Sequence, residues 1–145
     1  MHVNIQRCGP VEVPLPRYQT PGASGVDLHL AIPNDIVIQP GHRRRVPTGL
    51  RIAIPTGYEG QVRPRSGLSD RHGLGIINSP GTIDSDYRGE IQLTVINLDP
   101  AEPVTLRPLD RIAQLVICPV LTVQWVEVAL DETSRGEGGF GSTGL

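Results

Sequence analysis

The segment 79–90 holds the side chains best suited to chemistry: Asp84, Asp86, Tyr87 and Arg88. A carboxylate is a weak base at neutral pH because its pKa is about 4, so it acts by orienting a water molecule and accepting its proton. An ordinary turn does not need two carboxylates, a phenol and a guanidinium. The simplest interpretation is nevertheless a solvated loop whose aspartates only make turn hydrogen bonds, and this segment alone favours it.

The flanking sequences predict that this segment is the tip of a β-hairpin. Residues 73–78 and 91–98 are rich in β-branched residues and partly alternate in polarity, as strands do. If residues 82–87 are also extended, Asp84 and Asp86 lie on one face because strand side chains alternate. The expected structure is a hairpin arm with an acidic tip.

One short helix is predicted just before the hairpin. Ser66 or a neighbour is a good N-cap, residues 68–72 suit a helix, and Gly73 ends it. A helix N-terminus presents free N–H groups and a positive dipole end, and Arg65 precedes it, so this point suits a phosphate. A serine cap beside a surface arginine is also common in proteins that bind nothing.

The other predicted strands carry three further groups of interest. Alternation over residues 26–32 places Asp27 and His29 on a polar face, where an aspartate is usually solvated or paired with an arginine. Gln114 lies in an apolar strand and needs a hydrogen-bond partner, so it is either a satisfied structural residue or part of a polar site. The three arginines 43–45 alternate faces on a predicted solvated edge strand, and we assign them no site role.

The end of the chain combines a predicted last strand with a glycine-rich tail. Residues 123–128, with Trp125, are expected to form that strand. Residues 134–144 are too flexible to pack on their own. The tail is either a disordered terminus or a lid whose N–H groups wrap phosphates, with Arg135 neutralising charge and Phe140 offering a flat face to a base.

Composition predicts a single all-β domain. The 145 residues can bury a core, aromatic residues make up only 3%, and 17 glycines and 14 prolines separate short apolar runs, which is typical of short strands joined by tight turns. The net charge of −2 provides no basic field for nucleic acid or a membrane. Cys8 and Cys118 lie far apart, and we see no signal peptide or apolar span, so a reducing cytoplasm is the expected location. The four histidines lack metal-ligand spacing.

Five segments together resemble the motifs of the trimeric deoxyuridine triphosphatase (dUTPase) family, in matching order and spacing from about residue 20 to the C-terminus. They are ASGVDL (23–28), RPRSGL (63–68), GTIDSDYRG (81–89), DRIAQL (110–115) and RGEGGFGSTG (135–144). Each is a weak signal alone, whereas all five in order are highly specific. Leu109 is a departure, since the family often has glycine there; it is expected to affect the turn before Asp110 and to leave the site intact.

The resemblance implies a jelly-roll-like β fold (β-clip) with one short helix, in which residues 1–133 form one domain and residues 134–145 a flexible lid. It implies a homotrimer whose three active sites are shared between subunits. The implied reaction is hydrolysis of dUTP to dUMP and pyrophosphate, which limits uracil incorporation into DNA and supplies dUMP for thymidylate synthesis. Mg²⁺ is the implied cofactor, held by the triphosphate and water and not directly by the protein.

The resemblance also implies roles for individual residues. Asp84 would be the general base that activates water at the α-phosphate, with Asp27 in support. The implied substrate-binding residues are Arg65, Ser66, Gly67, Asn78, Gly81, Thr82, Ile83, Tyr87, Gln92, Gln114, Arg135, Phe140, Gly141 and Ser142. Among these, Asn78 and the hairpin backbone would read uracil, and Tyr87 would exclude a 2′-hydroxyl. The tail of another subunit would close the site, with Phe140 stacked on the base.

Two other functions fit many of the same features. A dCTP deaminase has a similar architecture, but its phosphate motif usually has two serines where this chain has Ser66-Gly67, and we cannot place its catalytic glutamate here. A nucleotide-binding regulator without turnover would not need Asp84 and the whole tail. A substrate panel of dUTP, UTP, dTTP and dCTP with Mg²⁺ separates these functions.

Overall fold

The computed structural model describes residues 1–139, and nearly all of the regular structure is β-strand. The strands are β1 (Asn4–Arg7), β2 (Val26–His29), β3 (Ile36–Ile38), β4 (Arg43–Pro47), β5 (Leu50–Ala53), β6 (Tyr58–Pro64), β7 (Leu74–Ile76), β8 (Gly81–Ile83), β9 (Gln92–Asn97), β10 (Val104–Leu106) and β11 (Arg111–Pro119). The one helix in this part of the chain is α1 (Ser66–His72). The predicted all-β fold with one short helix is therefore confirmed.

The strands form four antiparallel sheets around a shared core. Their orders are β2-β11-β6-β8, β4-β9-β7, β1-β5 and β10-β3. Side chains from all four sheets enter the core, and Leu28, Leu93 and Val95 are fully buried. Because aromatic residues are scarce, valine, isoleucine and leucine fill the interior, and the burial of their apolar surface stabilises the short strands.

The hairpin arm forms as predicted, but its tip differs from the prediction. β7 pairs with β9, and the tip then contributes β8 to a different sheet, where Ile83 lies opposite Gly60 of β6. The strand ends at Ile83, and the Tyr87 N–H donates to the Asp84 carbonyl oxygen (3.1 Å) in a turn. The expectation that Asp84 and Asp86 share one face of an extended strand is therefore wrong.

Helix α1 ends as predicted but begins differently. Arg65 occupies the N-cap position, and no side chain in the described structure caps the first turn. The predicted capping role of Ser66 is wrong because Ser66 is itself the first helical residue. Gly73 ends the helix with φ 58°. A Cβ atom at Gly73 would lie 2.7 Å from the Asp99 amide nitrogen, so only glycine fits between α1 and β7.

The predicted last strand at 123–128 does not form in the described structure. We call residues 120–133 the arm; none of them lies in a strand. Trp125 is 90% exposed and Leu130 is 87% exposed. Strand propensity reflects packing on a sheet, and within residues 1–139 the arm pairs with no strand. Strand β1 escaped prediction for a related reason, because all four of its residues are exposed and leave no buried face in the sequence pattern.

Three other expectations concern the arginines 43–45, the two cysteines and membrane-spanning helices. The three arginines 43–45 are exposed and belong to β4, which lies at the edge of its sheet, as predicted. Cys8 and Cys118 are both free thiols. Within residues 1–139, no helix has the length and apolar character needed to cross a membrane.

Leu109 adopts a left-handed backbone conformation, with φ 64°. In its turn the Asp110 N–H donates to the Arg107 carbonyl oxygen (3.1 Å), and Pro108 precedes Leu109. A four-residue turn with proline second and a positive φ third is of type II, where glycine is the usual third residue. The departure from glycine therefore leaves the turn in place at a conformational cost of about 1–2 kcal/mol.

Leu109→Gly is expected to raise the free energy of unfolding by about 0.5–1 kcal/mol, because it removes that cost while giving the unfolded chain more freedom. Urea unfolding at a fixed protein concentration measures the change. Leu109→Ala keeps the Cβ atom and is the matched control, which should gain nothing. A glycine variant no more stable than the alanine variant would contradict this account of the turn.

Candidate functional site

Seven of the predicted site residues line one cavity of about 380 Å³ beside the hairpin. They are Asn78, Gly81, Thr82, Ile83, Asp84, Tyr87 and Gln92. The other lining residues are the buried Val62 and Ile76, together with Arg45 and Glu90, which sequence reasoning did not select. We call this space the hairpin cavity. An apolar floor with a few convergent polar groups is the usual form of a small-molecule site.

The pairing of β8 with β6 fixes the position of Asp84. Ile83 is 9% exposed and belongs to the core cluster, so the residue after it starts from a firmly held point of the sheet. The Asp84 side chain itself is exposed at the start of the turn. The backbone that leads into Asp84 is therefore fixed by the sheet, and the carboxylate is open to a water molecule.

Tyr87 folds back over its own turn. Its hydroxyl donates to the Glu90 carbonyl oxygen (3.0 Å), and this is possible because a Cβ atom at Gly89 would overlap the ring. Arg88 ties the same turn together, since its Nη1 donates to the carbonyl oxygens of Ser85 (2.7 Å) and Tyr87 (2.8 Å). The Arg88 guanidinium therefore holds the loop in shape.

Glu90 supports the wall of the hairpin cavity. Its Oε1 accepts a hydrogen bond from the Gly49 N–H (2.7 Å), and Gln92 Nε2 donates to its Oε2 (3.5 Å). The Gly49 contact joins residues that are 41 positions apart in sequence. No local pattern could have shown it, which is why sequence reasoning missed Glu90.

A second group of charged residues lies where β2, β6 and β11 meet α1. Arg65 Nε lies 2.9 Å from Asp27 Oδ1, and Arg111 Nη1 lies 3.1 Å from Asp27 Oδ2. Arg65 Nη1 also donates to the Arg111 carbonyl oxygen (2.9 Å). The Asp27 side chain is only 13% exposed, so both cations are held by a largely buried carboxylate. Arg111 was not among the predicted site residues. Its place near Asp27 follows from the pairing of β2 with β11, in which Arg111 lies opposite His29.

Ser66 and Gln114 line a separate, more open cavity of about 550 Å³, together with Arg63. Gln114 Nε2 donates to the Pro64 carbonyl oxygen (3.0 Å), which satisfies part of its hydrogen-bonding need and fixes the amide. Gly67 follows Ser66 in the first turn of α1. This cavity therefore holds two of the predicted phosphate ligands, whereas Arg65 lines a third cavity together with Arg111.

The single chain does not bring all the predicted site residues together. Asp84 lines the hairpin cavity, whereas Ser66 and Gln114 line the other one. Arg135 lines neither, and its Nε donates to the Gly138 carbonyl oxygen (2.9 Å). The predictions for Phe140, Gly141 and Ser142 lie outside the described residues.

The donor set for a metal ion is sparse. Among residues 1–139, no three or more His, Cys, Asp or Glu side chains group closely enough to hold one. The Asp27 carboxylate is engaged by two arginines. This part of the chain therefore does not form an all-protein cage, and it suits an ion that arrives with an anionic ligand.

His29 lies beside the Asp27 group. Its Nδ1 is buried and has no hydrogen-bond partner in the described structure. Burial lowers the pKa of His29 from its ordinary value of 6.5; Asp27 acts in the opposite direction, while Arg111 and Arg65 lower it further. The ring is therefore mainly neutral at neutral pH.

The free energy of unfolding is expected to fall as the pH drops below 6.5, because the unfolded chain then binds a proton at His29 that the folded chain resists. Above about pH 7.5 the ring is mainly neutral in both states and adds little further pH dependence. His29→Gln removes this titration, so the loss of stability between about pH 7.5 and about pH 5.5 should be smaller in the variant. Urea titrations at one protein concentration measure both proteins, and an equal pH dependence would contradict the prediction.

Sequence comparison finds close relatives along the whole chain. A sequence model of the dUTPase family matches residues 11–144. The deoxyuridine 5'-triphosphate nucleotidohydrolase of Anaeromyxobacter sp. (strain Fw109-5) is 56% identical over 140 residues, covering 96% of this chain and 92% of that protein. The protein of the same name from Thermobifida fusca (strain YX) is 52% identical over 145 residues, covering 99% of this chain and 79% of that protein.

Solved structures agree with this relationship. The dUTPase of Staphylococcus bacteriophage 80alpha with dUPNHPP matches with a TM-score of 0.86 at 26% identity, over 99% of each chain. A mutant dUTPase from phage phi11 of S. aureus, described with a structural Mg(II) ion, matches in fold with a TM-score of 0.79 at 22% identity, over 92% of this chain and 100% of that one. Because the sequence model of the family matches nearly the full length of the chain and the fold agrees with that of a solved dUTPase, the chain belongs to the dUTPase family.

Proposed function

We propose that this protein is a dUTP diphosphatase, which hydrolyses dUTP to dUMP and pyrophosphate. The hairpin cavity carries the proposal, because it brings Asn78, the hairpin backbone, Tyr87 and Asp84 together at the edge of a sheet. Two relatives that are more than half identical to this chain bear the name of this activity. The reaction would limit uracil incorporation into DNA and supply dUMP for thymidylate synthesis.

The hairpin cavity suits a uracil nucleoside. The backbone of Gly81, Thr82 and Ile83 and the Asn78 amide offer donors and acceptors for the uracil edge, and a wall beside C5 would reject thymine by steric clash. Asn78 depends on its glycine neighbour, since a Cβ atom at Gly81 would lie 3.1 Å from Asn78 Nδ2 and press on the amide. Tyr87 would pack under the deoxyribose and exclude a 2′-hydroxyl.

Asp84 is the general base in this proposal. Because a free carboxylate has a pKa of about 4, it orients a water molecule and takes its proton as the new bond to the α-phosphorus forms, a contribution of about 10²–10⁴ in rate. The bond from the α-phosphorus to its bridging oxygen breaks, and pyrophosphate leaves. Positioning and hydrogen-bond donors around the phosphate oxygens supply the remaining acceleration.

The phosphates are proposed to lie at the start of α1. Ser66 offers a hydroxyl and Gly67 a free N–H group, while Gln114 offers an amide already fixed by Pro64. Arg65 contributes a cation whose direction is set in advance by its ion pair with Asp27. Asp27 is therefore a positioning residue in this proposal, and its role follows from that contact.

Mg²⁺ fits the proposed site as an ion carried by the substrate. Mg²⁺ usually keeps several waters and is bound through substrate phosphates with few protein ligands, which agrees with the sparse donor set of the described chain. We propose that the triphosphate and water hold it, with no direct protein ligand. When bound, it would neutralise charge on the phosphate chain.

We further propose a homotrimer with shared active sites. The base of the reaction and the phosphate ligands line two different cavities of one chain, so a second copy would be needed to complete the site. The arm exposes Leu121, Trp125 and Leu130, a run of apolar side chains that a neighbouring copy would cover. Both observations support an assembly in which subunits exchange contacts.

The tail would close each site as a lid. We propose residues 1–133 as the β domain and residues 134–145 as the lid of a neighbouring subunit, with Arg135 and Ser142 near the γ-phosphate. Phe140 would stack on uracil, and Gly141 would let the backbone approach the substrate.

The two free thiols support a reducing, cytoplasmic location.

Asp84→Asn is expected to lower kcat for dUTP by about 10²–10⁴-fold while the affinity for a non-hydrolysable dUTP analogue stays close to that of the parent protein. Asparagine keeps the size of the side chain but cannot accept the proton. Asp86→Asn is the matched control, because Asp86 lies in the same turn without lining the hairpin cavity. Pyrophosphate release and analogue titration measure the two properties. Full turnover in Asp84→Asn would refute the base assignment.

Deleting residues 134–145 is expected to lower kcat/KM for dUTP by roughly 10²-fold, because the lid would orient the phosphates and exclude water. The melting temperature should stay nearly unchanged, since none of residues 131–137 is buried. Steady-state kinetics and thermal unfolding of the same samples measure both effects. A truncated protein that keeps full activity would rule out the lid.

A further inference from the structure

Arg45 reaches the hairpin cavity from the edge strand β4. In the pairing of β4 with β9, Arg45 lies opposite Thr94 and Pro47 lies opposite Gln92. Because side chains alternate along a strand, Arg45 shares the sheet face of Gln92, and both line the cavity. Arg44 lies opposite Val95, on the other face of the same strand.

Arg45 is the only cationic side chain among the described residues that line the cavity. The ionised lining groups besides Arg45 are the carboxylates Asp84 and Glu90, which oppose the entry of an anion. The Arg45 side chain is exposed, and both ion pairs found within residues 1–139 belong to Asp27 instead. The guanidinium is therefore an exposed cation on the lining of a cavity that also carries two carboxylates, and a guanidinium has five N–H donors.

We propose that Arg45 is a substrate-binding residue whose guanidinium pairs with the phosphate chain of the bound nucleotide. This inference rests on the proposed function and adds to its site a residue of the edge strand. A guanidinium matches the spacing of phosphate oxygens and binds them through two parallel hydrogen bonds. It also offsets the two carboxylates that a triphosphate must approach.

If the arginines of β4 only protect the edge of the sheet, the binding data should show a different pattern. Charged residues on an edge strand prevent pairing with other sheets, and any of the three arginines 43–45 can do that. Steering of an anion by the overall field also treats Arg44 and Arg45 alike, since they are adjacent. Neither of these roles makes Arg45 matter more than Arg44, whereas direct binding in the cavity does.

The test compares Arg45→Gln with its matched control Arg44→Gln in the full-length chain. The probes are a non-hydrolysable dUTP analogue with Mg²⁺ and 2′-deoxyuridine, which carries the same base and sugar without phosphate. Arg45→Gln should weaken analogue binding by about 5- to 20-fold, the size of one partly exposed charged hydrogen bond. Arg44→Gln should change it less than about 2-fold, and deoxyuridine binding should stay unchanged in both. The affinity of Arg45→Lys for the analogue should fall between those of Arg45→Gln and the parent, because lysine keeps the charge but lacks the planar set of N–H donors of a guanidinium.

Several results would overturn the inference. Equal losses in the Arg44 and Arg45 variants would mean that only the overall field matters. An equal loss of deoxyuridine affinity in Arg45→Gln would mean that Arg45 shapes the cavity instead of binding phosphate.

The same data separate this inference from the proposed function. A parent protein that fails to bind the analogue and fails to hydrolyse dUTP refutes both. A parent protein that binds and hydrolyses dUTP, with Arg45→Gln indistinguishable from it, refutes the role of Arg45 alone.

Discussion

The pairing of the short strand β8 with β6 is the contact on which the proposed chemistry depends. It takes three residues from the tip of a hairpin and fixes them in the four-stranded sheet, with Ile83 in the core. Without it, Asp84 would sit in a mobile loop, and a carboxylate that moves freely cannot hold a water molecule in line with a phosphorus atom. The hairpin belongs to one sheet and its tip to another, so the cavity between them is held on both sides.

The rest of the proposed site is organised by a different contact, the two ion pairs of Asp27. This largely buried carboxylate directs two arginines, Arg65 at the N-cap of α1 and Arg111 at the start of β11, and the bond from Arg65 to the Arg111 backbone closes the group. Such an arrangement sets the direction of a cation before any ligand arrives, which lowers the cost of ordering it on binding. The two halves of the site are each rigid, and they depend on different parts of the sheet.

Local sequence patterns predicted much of this structure. Alternation and β-branched residues placed most strands, and Gly73 correctly marked the end of the helix. The resemblance to the dUTPase family supplied the hairpin residues that now line one cavity, which alternation alone could not select. Three of the failures depend on partners that are distant in sequence. The tip joins another sheet instead of extending freely, and Glu90 is placed by Gly49. Residues 123–128 have strand propensity but no partner strand in the part of the chain that the structure describes. Arg45 was set aside because three arginines in a row look like a solvated edge, and only the β4–β9 register shows what one of them faces.

The arm has a consequence for how the protein is made. A chain that has completed its own core still displays Trp125 and the apolar residues around it to water. Such a surface attracts any other exposed apolar segment. For a chain that assembles as we propose, a newly synthesised molecule faces a kinetic competition between productive association and misassembly. The rate at which two copies of the chain meet rises with their concentration, whereas the rate at which the core folds does not depend on concentration. The yield of native protein should therefore depend on the rate of synthesis and on temperature, even where the stability of the individual domain is ample.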